Sequence, residues 1–453
     1  MSEMESFKKQ ALSELLEWLR IPSISTLPEN KPDMRRAAEY VEAALRRAGM
    51  TRTEQIERAE HPLVYGEWLD APGKPTILFY GHYDVQPADP LEEWRSAPFE
   101  PEIRDNNIYA RGATDDKGQT WILVKAVEWL MARDGKLPVN VRFLIEGEEE
   151  CGGEAIERYV SEKPSQLQAD AAVICDSEMF APGLPSICTG LRGIVYGELH
   201  VEGARQDLHS GVYGGAAPNP IMAIAEILCA LKDKDGHIQI PGFYDRVVQP
   251  APAEKAAWAS LPFDEAEYLE KEIGATAITG EPGYSVFDKT WARPTFEVHG
   301  IRGGFVGEGA KTVIPARAVA KLSMRLVADQ RPDEAIEQLK AAIAQVTPKG
   351  VKAEYKFLHG AGPSLVNPDS PYIAAAATAM EEVFGKKTVY IRSGGSIPIV
   401  GLFETHLGMP SVLMGFGLPD DNLHSPNEKF HVPNFYGGID AVIRYLENLG
   451  ARG

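Results

Sequence analysis

The feature that most constrains this chain is a set of apolar runs that each stop at an acid or a histidine. Residues 76–81, TILFYG, form a short continuous apolar run that breaks at once into His82-Tyr83-Asp84. VNVRFLIEG at 139–147 leads into Glu148, Glu149 and Glu150. AAVICD at 171–176 ends on Asp176, and SVLMGFG at 411–417 is followed by His424 in PDDNLHSPNEK. Asp115 and Asp116 follow IYARGAT and precede a helical stretch. Short runs that are apolar throughout fit strands covered on both faces, the habit of parallel sheets. Open α/β sheets carry their chemistry at the carboxyl ends of such strands.

The intervening segments support that class. Residues 33–49 place Ala37, Tyr40, Val41, Ala44 and Leu45 on one helical face, and GQTWILVKAVEWLMAR at 118–133 is again helical. The texture changes after TGLRG at 189–193. IVYGELHVEG alternates as a strand, and residues 219–233 read as a helix. Residues 236–295 read as a long irregular stretch rich in Pro, Gly and aromatics. KTVIPARAVAKLSMRLV at 311–327 alternates as two antiparallel strands. PDEAIEQLKAAIAQV is helical and VKAEYKFLHG extended. Near residue 370 the first texture returns, with helices at 371–385 and 434–449 around the strands TVYIR and SVLMGFG. The expected fold is α/β, with a mixed, mostly parallel sheet built from 1–192 and 366–453 and an α+β domain inserted at 193–365.

Composition narrows the partners. A chain of 453 residues exceeds one ordinary core. A net charge of −19 argues against nucleic acid and anionic membranes, which require basic patches. Cys151, Cys175, Cys188 and Cys229 include no C-x-x-C pair and do not read as a disulfide scaffold. MSEMESFKKQALSELLEWLR reads as an amphipathic helix and not a signal peptide, so a cytoplasmic protein is expected.

Taken singly, each acidic stretch has a plain reading. H-x-D after a strand suits a turn with a solvated histidine. D-D-K-G suits a helix N-cap. Glu148-Glu149-Glu150 suits a solvated acidic loop. Taken together at successive strand ends they crowd negative charge into one crevice, and buried charge stays ionised only when compensated. A divalent cation supplies that compensation. Two histidines with three carboxylates suit Zn²⁺, with Mn²⁺ or Co²⁺ as alternatives. A further Glu would remain as general base. Cys151 lacks the lysine or helix-start setting of a thiol nucleophile.

GHYDVQP, ARGATDDKG, EGEEECGGE, ICDSE and DDNLHSPNE, in this order, resemble the M20 family of di-zinc metallopeptidases. DLHSGVYGG, GAKTVIPARA, SMRLV and GGSIP resemble its carnosinase-like dipeptidase branch, so the likeness spans nearly the whole chain. The resemblance implies that His82 and Asp176 bind one Zn²⁺, Glu150 and His424 the other, and Asp115 both, through a cis bond to Asp116. It implies that Asp84 orients His82 and that Glu149 is the general base on water shared by the two metals. It makes 193–365 a lid and homodimerisation domain bearing His209, Arg325 and Thr312, with Gly395 and Ser396 from the catalytic part. His209 would enter the partner's site to stabilise the oxyanion, and Arg325 would hold the substrate's free carboxylate. The implied activity is hydrolysis of dipeptides or similar small amides. Within the same family an N-acyl-amino-acid deacylase or a carboxypeptidase is the alternative. A non-catalytic metal-dependent binding protein would have lost the base or a ligand, and every one is present.

Overall fold

The computed structural model describes residues 2–58 and 60–452. The chain forms two compact units. One comprises Met1–Thr189, Val366–Ile391 and Leu402–Gly453, and the other Gly190–Leu365 and Arg392–Gly401.

The first unit is organised by a mixed sheet. Its strands lie in the order Arg52–Ile56, Leu63–Trp68, Asn140–Glu146, Thr76–His82, Ala171–Ile174, Ser411–Leu413 and Ser186–Leu191. The apolar runs expected to be doubly covered are the parallel centre: Thr76–His82 pairs in parallel with Asn140–Glu146 and with Ala171–Ile174, which pairs in parallel with Ser411–Leu413. The flanking pairs are antiparallel. Register sets His82 opposite Glu146 and Tyr80 opposite Ile174, so the carboxyl ends of these strands come level along one edge.

Helices cover the sheet. Lys117–Asp134 is buried over all of its first eleven residues and ends at Gly135, whose φ of 66° suits a residue without Cβ. It packs against Val432–Ala451, Glu3–Leu19 and the strand Thr76–His82. Trp18, Tyr40 and Trp121 pack ring against ring with centroids 5.3–6.2 Å apart. Such apolar and aromatic burial is the main stabilising term of the unit.

The second unit has a four-stranded antiparallel sheet in the order Thr295–Gly303, Arg317–Leu326, Gly193–Glu202 and Lys352–Ala361. Gly193–Glu202 alternates strictly, as its sequence does. Val195, Leu199, Val201, Ala320, Leu322 and Met324 share a core with residues of helices Pro220–Leu231 and Pro332–Val346. Two expectations are corrected here. Residues 311–327 do not form an antiparallel pair: Val313–Ile314 pairs with Leu208–His209, while Arg317–Leu326 joins the four-stranded sheet. Pro315, lacking an N–H, sits at the switch between the two sheets. The stretch 236–295 is also less irregular than its composition suggests. It holds the helix Pro252–Ala259 and helical turns at Tyr268–Ile273 and Asp288–Ala292, packed through Trp258, Phe263, Phe287 and Trp291.

Candidate metal centre

The level strand ends of the first unit gather its acids and histidines. His82 closes Thr76–His82, and Asp84 lies two residues beyond. Glu149 and Glu150 open a 3₁₀ turn just after Asn140–Glu146. Asp176 follows Ala171–Ile174. Asp115 lies two residues before the helix Lys117–Asp134 and is joined to the N-cap residue, Asp116, by a cis peptide bond.

Two groups result. His82, Asp115 and Asp176 bring one ligand atom each within 4.8 Å of one another, and so do Asp115, Glu150 and His424. Asp115 belongs to both. Its Oδ1 lies 3.1 Å from His82 Nε2 and its Oδ2 lies 2.9 Å from His424 Nε2. Glu150 Oε2 is 3.4 Å from the same His424 nitrogen and accepts from Gln86 Nε2 at 2.7 Å.

The electrostatics fit a cation. Burial, then the charge of Asp115, pushes Glu150 up to about 9 and Asp176 up to about 6. Burial also opposes ionisation of Asp115, but hydrogen bonds with His424 and His82 outweigh it and hold that carboxyl low. A divalent ion among these groups would favour the ionised form of each acid. The donors are imidazole nitrogens and carboxylate oxygens, a set that suits zinc, manganese or cobalt.

The plainer readings of the acidic stretches now separate. Asp116 occupies the N-cap position, yet its side chain caps nothing. Its Oδ2 accepts from Thr120 Oγ1 at 2.6 Å and from the His82 backbone N–H at 3.2 Å. Gly81 makes room for this contact, since a Cβ there would lie 1.9 Å from Thr120 Oγ1. Glu148 is a loop holder that accepts the N–H groups of His61 and Ala155 at 3.0 and 3.2 Å. Among the described residues nothing donates to the Glu149 carboxylate. Burial pushes its pKa well above the ordinary range; His82 opposes the shift, while Asp176 and Glu150 add to it. Cys151 places its Sγ 3.6 Å from the Glu148 carbonyl oxygen and joins neither group.

Asp84 does more than its spacing from His82 suggests. One oxygen lies 3.3 Å from His82 Nδ1, and the other accepts from Ser25 Oγ at 2.7 Å and the Glu150 N–H at 3.0 Å. The His82 Nδ1 is also 3.1 Å from the Asp84 carbonyl oxygen. Metal-binding histidines are commonly fixed in this way through the ring nitrogen remote from the ion.

The remaining candidates lie in the second unit. Arg325 donates from Nη1 to Ser396 Oγ at 2.8 Å, and Ser396 Oγ in turn donates to the Arg192 carbonyl. Gly395 accepts from the Arg192 N–H at 3.1 Å. Gly395 and Ser396, expected from the catalytic part, thus cluster with the inserted unit because Arg192 and Arg325 hold them there. His209 Nδ1 accepts the Gly211 N–H at 3.0 Å, capping Ser210–Tyr213, and the Thr312 carbonyl accepts from Ser210. The imidazole is exposed.

Sequence reasoning missed two residues. Arg192 sits in TGLRG, where only the change of texture drew notice. Its guanidinium donates from Nε to the Gly394 carbonyl at 3.1 Å, and burial, then the charge of Arg325, lowers it to about 10. Glu428, in NLHSPNEK, is fully buried and bonded to Arg111 at 2.8 Å. A buried acid within a histidine-bearing motif was the available signal.

A parallel sheet edge carrying two imidazole–carboxylate groups that share one aspartate defines a metallohydrolase of the α/β class. The chain belongs to peptidase family M20/M25/M40, whose sequence profile matches residues 78–448. It is 31% identical over 460 residues to the Cys-Gly metallodipeptidase of Schizosaccharomyces pombe, covering 98% of this chain and 96% of that one. It is 32% identical over 442 residues to the Beta-Ala-His dipeptidase of Homo sapiens, covering 94% and 87%. Among solved structures it resembles human carnosine dipeptidase 1, with a TM-score of 0.86 at 31% identity over 99% and 97% of the chains. An M20 family metallo-carboxypeptidase from Sulfolobus solfataricus matches with a TM-score of 0.87 at 32% identity over the whole of both. The protein is therefore a hydrolase of metallopeptidase type, and its family implies a divalent metal. No described helix is long and apolar enough to cross a membrane.

Proposed function

We propose that the protein is a dipeptidase that carries two Zn²⁺ ions, with Mn²⁺ or Co²⁺ able to replace them. His82, Asp115 and Asp176 would hold one ion, and Asp115, Glu150 and His424 the other. The observation that carries this reading is Glu149, a carboxylate to which nothing among the described residues donates, beside two groups that share Asp115. When bound, the ions supply Lewis acidity to the scissile carbonyl. Glu149 takes a proton from the attacking water as its oxygen bonds to the carbonyl carbon, and delivers that proton to the leaving nitrogen as the C–N bond breaks. Arg325, oriented by Ser396, pairs with the free carboxylate of the substrate, with Gly395 and Thr312 lining that end. His209 donates to the developing oxyanion in the partner subunit's site.

The homodimer in this reading is supported by the inserted unit, whose edge strands Thr295–Gly303 and Lys352–Ala361 expose Val298, Ile301, Phe357 and Leu358. A cytoplasmic location is supported by Cys151, Cys175 and Cys229, which are free thiols. The net charge of −19 leaves nucleic acid and anionic membranes outside the expected partners.

A second reading, a carboxypeptidase, has its own support in the carboxypeptidase structure matched over the full chain. Metal analysis with a substrate panel decides. The dipeptidase reading expects two ions per chain and turnover of Ala-Ala or β-Ala-His far above N-acetyl amino acids and longer peptides. Comparable turnover of long peptides from the C-terminus would favour the carboxypeptidase. Preference for N-acetyl amino acids would favour a deacylase.

A further inference from the structure

Glu428 has no assigned part in the reaction, yet it is among the most heavily engaged carboxylates in the chain. It is 0% exposed. Its Oε2 accepts from Arg111 Nη1 at 2.8 Å and the Gly112 N–H at 2.9 Å. Its Oε1 accepts from the Thr114 N–H at 3.0 Å and the Asp115 N–H at 3.1 Å. Three backbone donors and a guanidinium thus converge on one side chain.

The placement of these contacts matters more than their number. Strand Lys429–His431 pairs with Asn107–Tyr109, and the last backbone link between the segments is the Ala110 N–H to the Glu428 carbonyl, 3.2 Å. Beyond that link the chain from Arg111 to Asp115 has no ladder to follow. The Glu428 side chain takes over and collects the N–H groups of Gly112, Thr114 and Asp115, while those of Arg111 and Ala113 go to the Pro98 and Ala110 carbonyls. Four residues back along its own segment stands His424, at a φ of 60°. Thr114 Oγ1 reinforces the junction, lying 2.9 Å from Asp421 Oδ2 and 2.6 Å from the Lys429 carbonyl oxygen. Glu428 therefore joins the segment that carries Asp115 to the segment that carries His424. Asp115 serves both groups, but Glu428 holds it only by its backbone N–H and makes no link to His82 or Asp176, so the ligand spacing that Glu428 sets across two segments is that of Asp115 and His424.

We propose that Glu428 is a positioning residue that sets the Asp115–His424 spacing and so tunes the second metal group, Asp115, Glu150 and His424, selectively. The inference rests on the two-metal reading above. A carboxylate is suited to this task because it can accept several N–H groups at once. A glutamine in its place presents an NH₂ to at least one of those donors. Residues that hold metal ligands in place are typically worth about 10–100-fold in metal affinity.

The test is titration of the chelator-stripped full-length protein with Zn²⁺, followed by heat and by the visible spectrum of the Co²⁺ form. Wild type should take up two equivalents. Glu428→Gln should keep one at near wild-type affinity and weaken the other about 10–100-fold. The Co²⁺ spectrum should change only on the second addition. Glu281→Gln is the control: it disrupts a buried pair with Arg293 in the inserted unit and should leave both affinities unchanged. Glu428→Asp keeps the charge but withdraws it by one methylene, and should weaken the same equivalent less. It carries the test if Glu428→Gln does not fold. Unchanged affinities, equal weakening of both equivalents, or the same loss in Glu281→Gln would each overturn the proposal. Fewer than two equivalents in wild type would instead bring down the two-metal reading, and this inference with it.

Discussion

Asp84 accepts the backbone N–H of Glu150 at 3.0 Å, so the residue that braces one metal group also fixes the backbone of the other. Its second oxygen faces His82 Nδ1 at 3.3 Å. Removing this carboxylate should therefore disturb both groups. Asp84→Ala is expected to weaken each metal equivalent by about 10–100-fold. Competition with a chelator would measure this, and loss of one equivalent alone would contradict the shared brace.

Among the described residues nothing donates to the Glu149 carboxylate, and Glu149 lies outside both ligand groups. Glu149→Gln should lower kcat by about 10²–10⁴-fold, the range for a lost general base. Metal content should stay at the wild-type value by elemental analysis. A fall to one ion per chain would exchange the roles of Glu149 and Glu150.

Arg325→Ala should chiefly penalise substrates with a free terminal carboxylate. Loss of a partly buried charge pair costs about 2–5 kcal/mol. C-terminally amidated dipeptides should be poor substrates for wild type and little affected by the change. Equal losses on free and amidated substrates would remove Arg325 from the carboxylate site.

His209 gives a prediction about pairs of chains. Glu149→Ala and His209→Ala homodimers should each be nearly inactive. A mixed dimer would hold one site with both defects and one with neither. Random assembly makes about half of the dimers mixed, which restores about a quarter of all sites. Co-expressed, differently tagged chains would measure this. Verified mixed dimers no more active than the parents would confine His209 to its own chain.

Gly81 is required by packing, since its φ lies outside the left-handed region. A Cβ there meets Thr120 Oγ1 at 1.9 Å and Asp116 Oδ2 at 2.8 Å. Gly81→Ala should destabilise the protein by about 1–3 kcal/mol, as overpacking does. Thermal unfolding of the metal-free protein would show a lower Tm; no change would mean that Thr120 can turn away freely.

The sequence by itself determined the parallel strands of the first unit, the helices that cover them and the acids and histidines at the strand ends. Those features follow from local order: an apolar run sets a covered strand, and the residue after it must lie at that strand's end. Once parallel register brings the ends level, His82, Asp176 and Glu150 are neighbours by necessity. Tertiary structure alone decided how adjacent acids divide their work. Glu148 holds a loop, Glu149 is left free and Glu150 faces His424, although the three are consecutive and chemically alike. It also decided that Asp116 turns from the helix start to Thr120 and His82, that Ser396 keeps company with Arg325, and that Glu428 gathers N–H groups some 313–316 residues away in the chain. Periodicity records which side of an element is buried. It does not record which distant donor a buried carboxylate will meet, because that partner is set by the packing of whole elements against one another.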